Sequence, residues 1–431
     1  MTSSSLPFLR RLLLASAFLP SALSHGVLDI TNNFLTPFTL HPTDLDITCP
    51  LPLEDSDRPT VSITSSPWTH PPTCEYTVDK KTKYCVYTNS RHGSRGWSII
   101  ATPETAADSA WMLNHAVNNS ATPVSFPGIP GGQQRCGTAA GEKYTMVDIP
   151  GKGKGLVATR KIARYEEILV DYATIMVDVM FTSEVPAFKG YKLLHKSVAQ
   201  LQDPGSVLGL GKSNPLARDD VENILRTNAF STELGGRKHI ALFPIVSRIN
   251  HACKPNAYIR FIPSTLQATI HAARDIPVGE EITISYIPVD APTSERAEKL
   301  SSRWHFTCHC SLCQAPASER EISDSRRSEI QKLRSYQLLA YQAGRAYQAL
   351  RFTRQIVELL APEELWDMFA EQYENMARIF WMLKDRKNAE KYARMSLEKL
   401  EERGEIGRGE AGKEGIERMF ARFDEEEGPR E

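Results

Sequence analysis

Arg248-Ile249-Asn250-His251-Ala252-Cys253-Lys254-Pro255-Asn256 decides the reading of this chain, together with Cys308-His309-Cys310-Ser311-Leu312-Cys313 further downstream. A lone cysteine followed at a distance by a tight C-x-C-x2-C cluster is a four-thiolate pattern split across a fold. Zinc in a structural role takes a closed tetrahedral sulfur cage, so Cys253, Cys308, Cys310 and Cys313 are its candidate ligands. His305 and His309 are left out, because four thiolates already fill the tetrahedron. Between the two segments lies Gly279-Glu280-Glu281-Ile282-Thr283-Ile284-Ser285-Tyr286. Upstream lies Gly151-Lys152-Gly153-Lys154-Gly155-Leu156-Val157-Ala158, followed by Ile162 and Glu166-Glu167-Ile168. That glycine string precedes a strand rather than a helix, so it is no dinucleotide fingerprint.

Taken in order, these segments resemble the motifs of the SET-domain lysine methyltransferases with their post-SET zinc loop. The resemblance covers residues 143 to 314. It implies an α+β protein: a SET β-fold of short strands, a helical insert, a zinc post-SET loop and an α-helical C-terminal domain. It also implies pseudoknot-like threading, in which the N-H-x-C segment passes through a loop closed by the G-E-E-I segment, a rare exception to unknotted topology. S-adenosylmethionine as methyl donor and Zn2+ are the implied cofactors. Tyr286 is the implied catalytic residue, its hydroxyl lying beside the reacting methyl and amine. Lys154, Gly155, Leu156, Asn228, Asn250, His251, Tyr286 and Phe306 are the implied cofactor contacts, with His251 acting through its backbone and packing rather than as a base. Trp304 is an alternative to Phe306 as the aromatic cover, and Tyr258 is a candidate for the lysine channel. Two departures stand out. Ala252 replaces the usual serine of N-H-S-C, and the MYND finger of the most similar zinc-loop relatives has no counterpart here.

The chemistry explains why such a site needs those residue types. Methyl transfer to an amine is an in-line displacement at a sulfonium methyl. Roughly one lysine in 10³ is unprotonated near neutral pH. A narrow apolar channel lowers the amine pKa by desolvation and aligns the nitrogen.

The whole chain has 431 residues, 41% hydrophobic and 24% charged, which suits two or three globular domains. Its formal net charge of -1 supplies no global field for nucleic acid or an anionic membrane, so neither is an expected partner. The expected partner is a lysine-bearing protein, and a histone would need a local acidic groove. The oligomeric state is not readable from these residues.

Residues 1–24 read as a signal peptide: Arg10 and Arg11, then Leu12 to Leu19, then Ala22-Leu23-Ser24. This points to the secretory pathway, whereas zinc thiolates and the methyl donor point to nucleus or cytoplasm. Residues 25–140 form a cysteine-containing region with Cys49, Cys74, Cys85 and Cys136, which suggest two disulfides with three possible connectivities. A zinc site from His70, Cys74, Cys85 and His92 is the alternative. Strands are expected over 82–88 and 97–102, joined as a hairpin, with a helix over 105–117 and a Pro/Gly linker over 123–132.

The SET region spans 143–287 and the zinc loop 303–314. Strands are expected over 144–147, 156–159, 168–173, 257–261 and 268–272, with 177–227 helical. Residues 325–404 carry helical stripes: Tyr373, Met376, Ala377, Phe380 and Trp381, then Ala389, Tyr392, Ala393, Ser396, Leu397 and Leu400. They resemble a tetratricopeptide-type hairpin, while 405–431 reads as a disordered tail. A protein-lysine N-methyltransferase is the leading expectation. The alternatives are a catalytically inactive SET scaffold acting in protein interaction, and a methyltransferase for a small-molecule amine.

Overall fold

A computed structural model describes residues 67–118, 143–215, 217–262 and 265–402. The expected leader, Cys49, Cys136, the 123–132 linker and the C-terminal tail lie outside the described residues. Two compact units emerge. One runs to Lys332 and includes Ala361–Trp366; the other holds Leu333–Leu360 and the described residues from Asp367 onward.

In chain order the first unit opens with β1 (Thr73–Tyr76), β2 (Lys83–Asn89), β3 (Trp97–Ala101) and α1 (Pro103–Asn118). There follow β4 (Tyr144–Ile149), β5 (Gly153–Ala158), β6 (Glu167–Tyr172) and β7 (Ile175–Asp178). The helical insert is α2 (Phe181–Glu184), α3 (Ala187–Ala199), α4 (Gly205–Leu208) and α5 (Asp220–Asn228). Then come β8 (Phe230–Leu234), β9 (Arg237–Leu242), β10 (Asn250–His251), β11 (Ala257–Ile262), β12 (Gln267–Ala272) and β13 (Glu281–Ile284). Helices α6 (Thr293–Trp304) and α7 (Ser311–Gln314) lead into α8 (Ala317–Gln342).

Three sheets carry these strands, in the orders β1-β2-β3-β7-β9-β8, β10-β13-β5-β4 and β11-β12-β6. The first sheet joins the N-terminal hairpin to the SET region, because β3 runs parallel to β7 with Ile99 opposite Met176. Its central strands are buried on both faces. Trp97, Ile99 and Met176 face a core shared with Leu156, Ile270 and Ile282. Ile100, Ile175 and Val177 face a second core with Leu193, Leu194, Ile224 and Leu225 of the insert helices.

This double burial accounts for a difference from the sequence reading, which placed the helical insert from residue 177. A strand covered on both sides shows a continuous apolar run without alternation, and Ile175-Met176-Val177 cannot be told from a buried helix by period alone. The β8–β9 hairpin was passed over as well. Its Gly235-Gly236 turn has φ of +58° and +73°, the double left-handed turn that tight hairpins require.

Cys74 and Cys85 sit directly opposite each other on β1 and β2 and are joined as a disulfide. That removes both sulfurs from the alternative zinc set with His70 and His92.

The second unit begins within α8 and continues through α9 (Ala346–Leu360), α10 (Phe369–Met382) and α11 (Arg386–Glu402). Ala349, Leu350, Met376, Ala377, Phe380, Ala389 and Ala393 form its core. The Phe380 and Tyr392 rings stack with centroids 5.4 Å apart and planes within 4°. The two helical stripes are thus core stripes that face each other across the α10–α11 hairpin. Helix begins at Ala317, eight residues before the expected 325, and α8 carries through the unit boundary.

Candidate active site

The site is assembled around β13, which arrives between strands already laid down by earlier sequence. Asn250 pairs with Thr283 and His251 with Ile284 in parallel register. On its other side Glu281 and Ile282 face Val157 and Leu156 of β5. Asn256 fastens the turn after Cys253. Its Nδ2 donates to the Glu281 carbonyl at 2.8 Å and to Glu280 Oε1 at 2.9 Å, and its Oδ1 accepts from the Thr283 amide at 2.8 Å.

Asn250 spans the seam. Its Nδ2 donates to the Lys154 carbonyl at 3.1 Å and to Glu281 Oε1 at 2.9 Å. Gly155 is required by this crowding, since a Cβ there would stand 2.5 Å from Ile149 Cγ1 and 2.9 Å from Asn250 Nδ2. The glycine therefore makes room for the protein itself. Gly153, with φ of +75°, has nothing within 4 Å of its Cβ position, so the space beside the strand start is open. The Lys154 amine pairs with Asp148 at 2.8 Å on the surface. The Leu156 side chain is fully buried in the core, so only its backbone is placed for contact.

Tyr286 lies two residues beyond the end of β13. Its phenol donates to the Ile249 carbonyl at 2.6 Å, and its backbone N–H donates to His251 Nδ1 at 3.0 Å. Its ring lies 5.3 Å from Trp304 and 5.3 Å from His251. Burial, with the Glu281 carboxylate second, holds the phenol well above the usual tyrosine range, so it stays a neutral hydroxyl. Phe306 lies 6.2 Å from His251, and with Trp304 it packs over Cys253, Ile287 and Leu300.

The four cysteines converge. Their sulfurs lie within 4.8 Å of one another, with Cys253 Sγ 3.5 Å from Cys313 Sγ and 3.8 Å from Cys308 Sγ. A tetrahedron with metal–sulfur bonds of about 2.3 Å has edges of about 3.8 Å, so the quartet fits zinc in donor chemistry and in size. Backbone N–H groups of Cys253 and Cys310 point at the sulfurs of Cys310 and Cys308. Side-chain hydrogen bonding with Cys253 pulls the Cys310 thiol below its ordinary range. The same neighbour lowers Cys308, while Cys253 itself is pushed up. His305 and His309 are exposed and outside the quartet.

Asn228 ends α5 close to this segment. Its Nδ2 donates to the Gly211 and Ile224 carbonyls, each at 2.7 Å, and its own carbonyl accepts from Ser247 Oγ at 3.1 Å. Trp304 Nε1 donates to the neighbouring Thr227 carbonyl at 3.1 Å. Tyr258 is buried and stacked on His271, directly across from it on β12, with ring centroids 5.6 Å apart.

Two contributions escaped the sequence reading. Asp171, buried at 1% exposure, accepts from the Ile245 and Val246 amides at 2.6 and 3.1 Å and from Arg95. It anchors the turn that leads into Asn250, and Arg95 ties the N-terminal hairpin to it. Arg248 donates from its guanidinium to the Gly209 carbonyl at 2.8 Å, and burial alone lowers its pKa. The quoted motif contained Arg248, but nothing in its spacing marked it.

A family model described as "SET domain" matches residues 153–287. The histone-lysine N-methyltransferase set5 of Schizosaccharomyces pombe is 32% identical over 196 residues, 44% of this chain and 56% of the relative. The human N-lysine methyltransferase SMYD2 is 30% identical over 162 residues, 36% of this chain and 35% of the relative. The human histone-lysine N-methyltransferase SMYD3 is 36% identical over 95 residues, 22% of this chain and 21% of the relative. The chain thus spans about half, or less, of the length of the curated relatives it matches. With the N-H-x-C segment docked on β13 and the sulfur quartet closed beside Tyr286, residues 153–287 carry a SET domain, and through it the chain is similar to lysine methyltransferases.

Proposed function

We propose that this protein transfers a methyl group from S-adenosylmethionine to the side-chain amine of a lysine in a protein substrate. The observation that carries the reading is Tyr286. Its phenol is neutral and pinned to Ile249, one residue before Asn250, and its backbone is held by His251. An oriented O–H dipole beside developing charge is what a methyl-transfer site needs, because it costs no reorganisation when the sulfonium charge is dispersed.

The donor set suits a zwitterionic sulfonium that bears an aromatic base. The open backbone at Gly153, the Asn250 segment and Tyr286 face the amino-acid and methyl portions in this reading. Phe306 or Trp304 covers the base by stacking. Zinc, held by Cys253, Cys308, Cys310 and Cys313, supplies structural closure only, since four thiolates leave no open position for chemistry. The Cys74–Cys85 bridge is one observation in favour of the secretory-pathway expectation over nucleus or cytoplasm. Mass spectrometry of the mature protein for cleavage near Ser24 tests that point.

The test of function is methyl incorporation from labelled donor into protein lysines, with Tyr286→Phe alongside. Wild type is expected to label lysine, and Tyr286→Phe to lower kcat about 10²-fold with donor affinity retained. Tight donor binding with no transfer to any protein or small amine would favour the scaffold reading instead.

A further inference from the structure

His251 touches both the sulfur quartet and the tyrosine, and its ring is spent on the connection. The side chain is buried, at 4% exposure. Nδ1 lies 3.0 Å from the Tyr286 backbone nitrogen, and Nε2 lies 3.2 Å from Cys253 Sγ. A backbone amide can only donate, so Nδ1 must present its lone pair. In a neutral imidazole the one proton then sits on Nε2, aimed at the sulfur. Deprotonated, as a metal ligand must be, that sulfur is a pure acceptor. The two contacts therefore demand the same tautomer.

We propose that His251 is a positioning residue that couples the zinc thiolate of Cys253 to the catalytic tyrosine. One ring fixes a ligand sulfur with its proton and the Tyr286 backbone with its lone pair. This deepens the function proposed above and rests on it for the role of Tyr286. The zinc arm does not, because it concerns only Cys253. The ring contacts with Tyr286 and Phe306 hold the imidazole plane so that both nitrogens stay aligned. Outer-shell partners of metal ligands act in this way, fixing a ligand's orientation and charge without touching the metal.

The two ends can be removed separately. His251→Asn keeps an acceptor near the Nδ1 position and loses the proton toward sulfur. His251→Gln reaches the Nε2 position with an N–H donor and leaves the Tyr286 amide without its acceptor. His251→Ala loses both. The first readout is nitrogen-15 NMR of histidine-labelled full-length zinc protein, with the His251 signal assigned by its loss in His251→Asn. The Nε2–H tautomer is expected, and an Nδ1–H tautomer overturns the proposal. The second is zinc release to a chromogenic chelator, expected about tenfold faster in His251→Asn and His251→Ala than in His251→Gln. The third is kcat against the donor KM. His251→Gln and His251→Ala should lose kcat about tenfold with little change in KM, and His251→Asn should recover most of that loss. Equal zinc release and equal kcat across the three variants would mean that the ring only packs, and would overturn the proposal. If wild type transfers no methyl at all, the function fails, while the tautomer and zinc-release results still decide the link to Cys253.

Discussion

The six cysteines among the described residues serve two regions in opposite ways. In the N-terminal hairpin, Cys74 and Cys85 are 11 residues apart, face each other on neighbouring strands and share a covalent bond. At the site, Cys253 meets three sulfurs 55 to 60 residues downstream, and none of the four is in a disulfide. The hairpin pair joins strands that the sheet already holds together. The quartet fastens Cys308 to Cys313, an irregular stretch ending in a helix of one turn, to the Asn250 segment, where Trp304 and Phe306 add only side-chain packing. One linkage reinforces a structure, and the other creates one.

Stripping the metal should therefore have the largest effect. Chelation of the zinc protein is expected to disorder residues 304–314 and abolish donor binding, because three of the four metal ligands lie in that segment and metal binding is coupled to its folding. Metal analysis with donor-binding calorimetry checks this, and full binding by metal-free protein would erase the contrast between the regions. Replacing Cys74 and Cys85 together by serine should cost about 2–3 kcal/mol of stability, the scale for closing a short loop. Donor affinity should be unchanged, as read by urea unfolding and the same calorimetry. Loss of donor binding in that variant would show that the hairpin, through Arg95 and Asp171, bears on the site more than its bond does.

A narrower effect, confined to acid pH, concerns His92, in the loop between β2 and β3. Burial holds its pKa down to about 4, with Trp97 and Tyr172 against the ring. The unfolded chain binds a proton below its ordinary value of about 6.5, and the folded chain does not until about 4. Stability is thus expected to fall as pH drops from 6.5 toward 4, by at most one proton's worth of slope. Urea midpoints across that window should flatten in His92→Gln; an identical slope in both proteins would remove His92 as the cause.

The quartet was legible because residue type and spacing are both constrained by the metal. Tyr286 was legible because its motif lies in order with three others. The fold around them was less so. Ile175 to Asp178 is apolar without alternation, so no period separated strand from helix. The Gly235-Gly236 turn did carry a hairpin signal, which went unused between two short strands. Arg95 and Asp171 are 76 residues apart and have no pattern in common; only the folded chain shows that one buried carboxylate holds the turn before Asn250. Helical stripes at Met376 to Phe380 and Ala389 to Ala393 were plain because a two-helix core repeats every third or fourth residue.

The strand order β10-β13-β5-β4 places β13 between two strands made before it. During synthesis, the edges of β5 and β10 have no partner until Glu281 to Ile284 has left the ribosome. Such long-range pairing is slow, and bare edges invite association with other chains. A nascent chain stalled before residue 281 is therefore a substrate for chaperones, and a message truncated there should yield aggregate rather than a smaller folded protein.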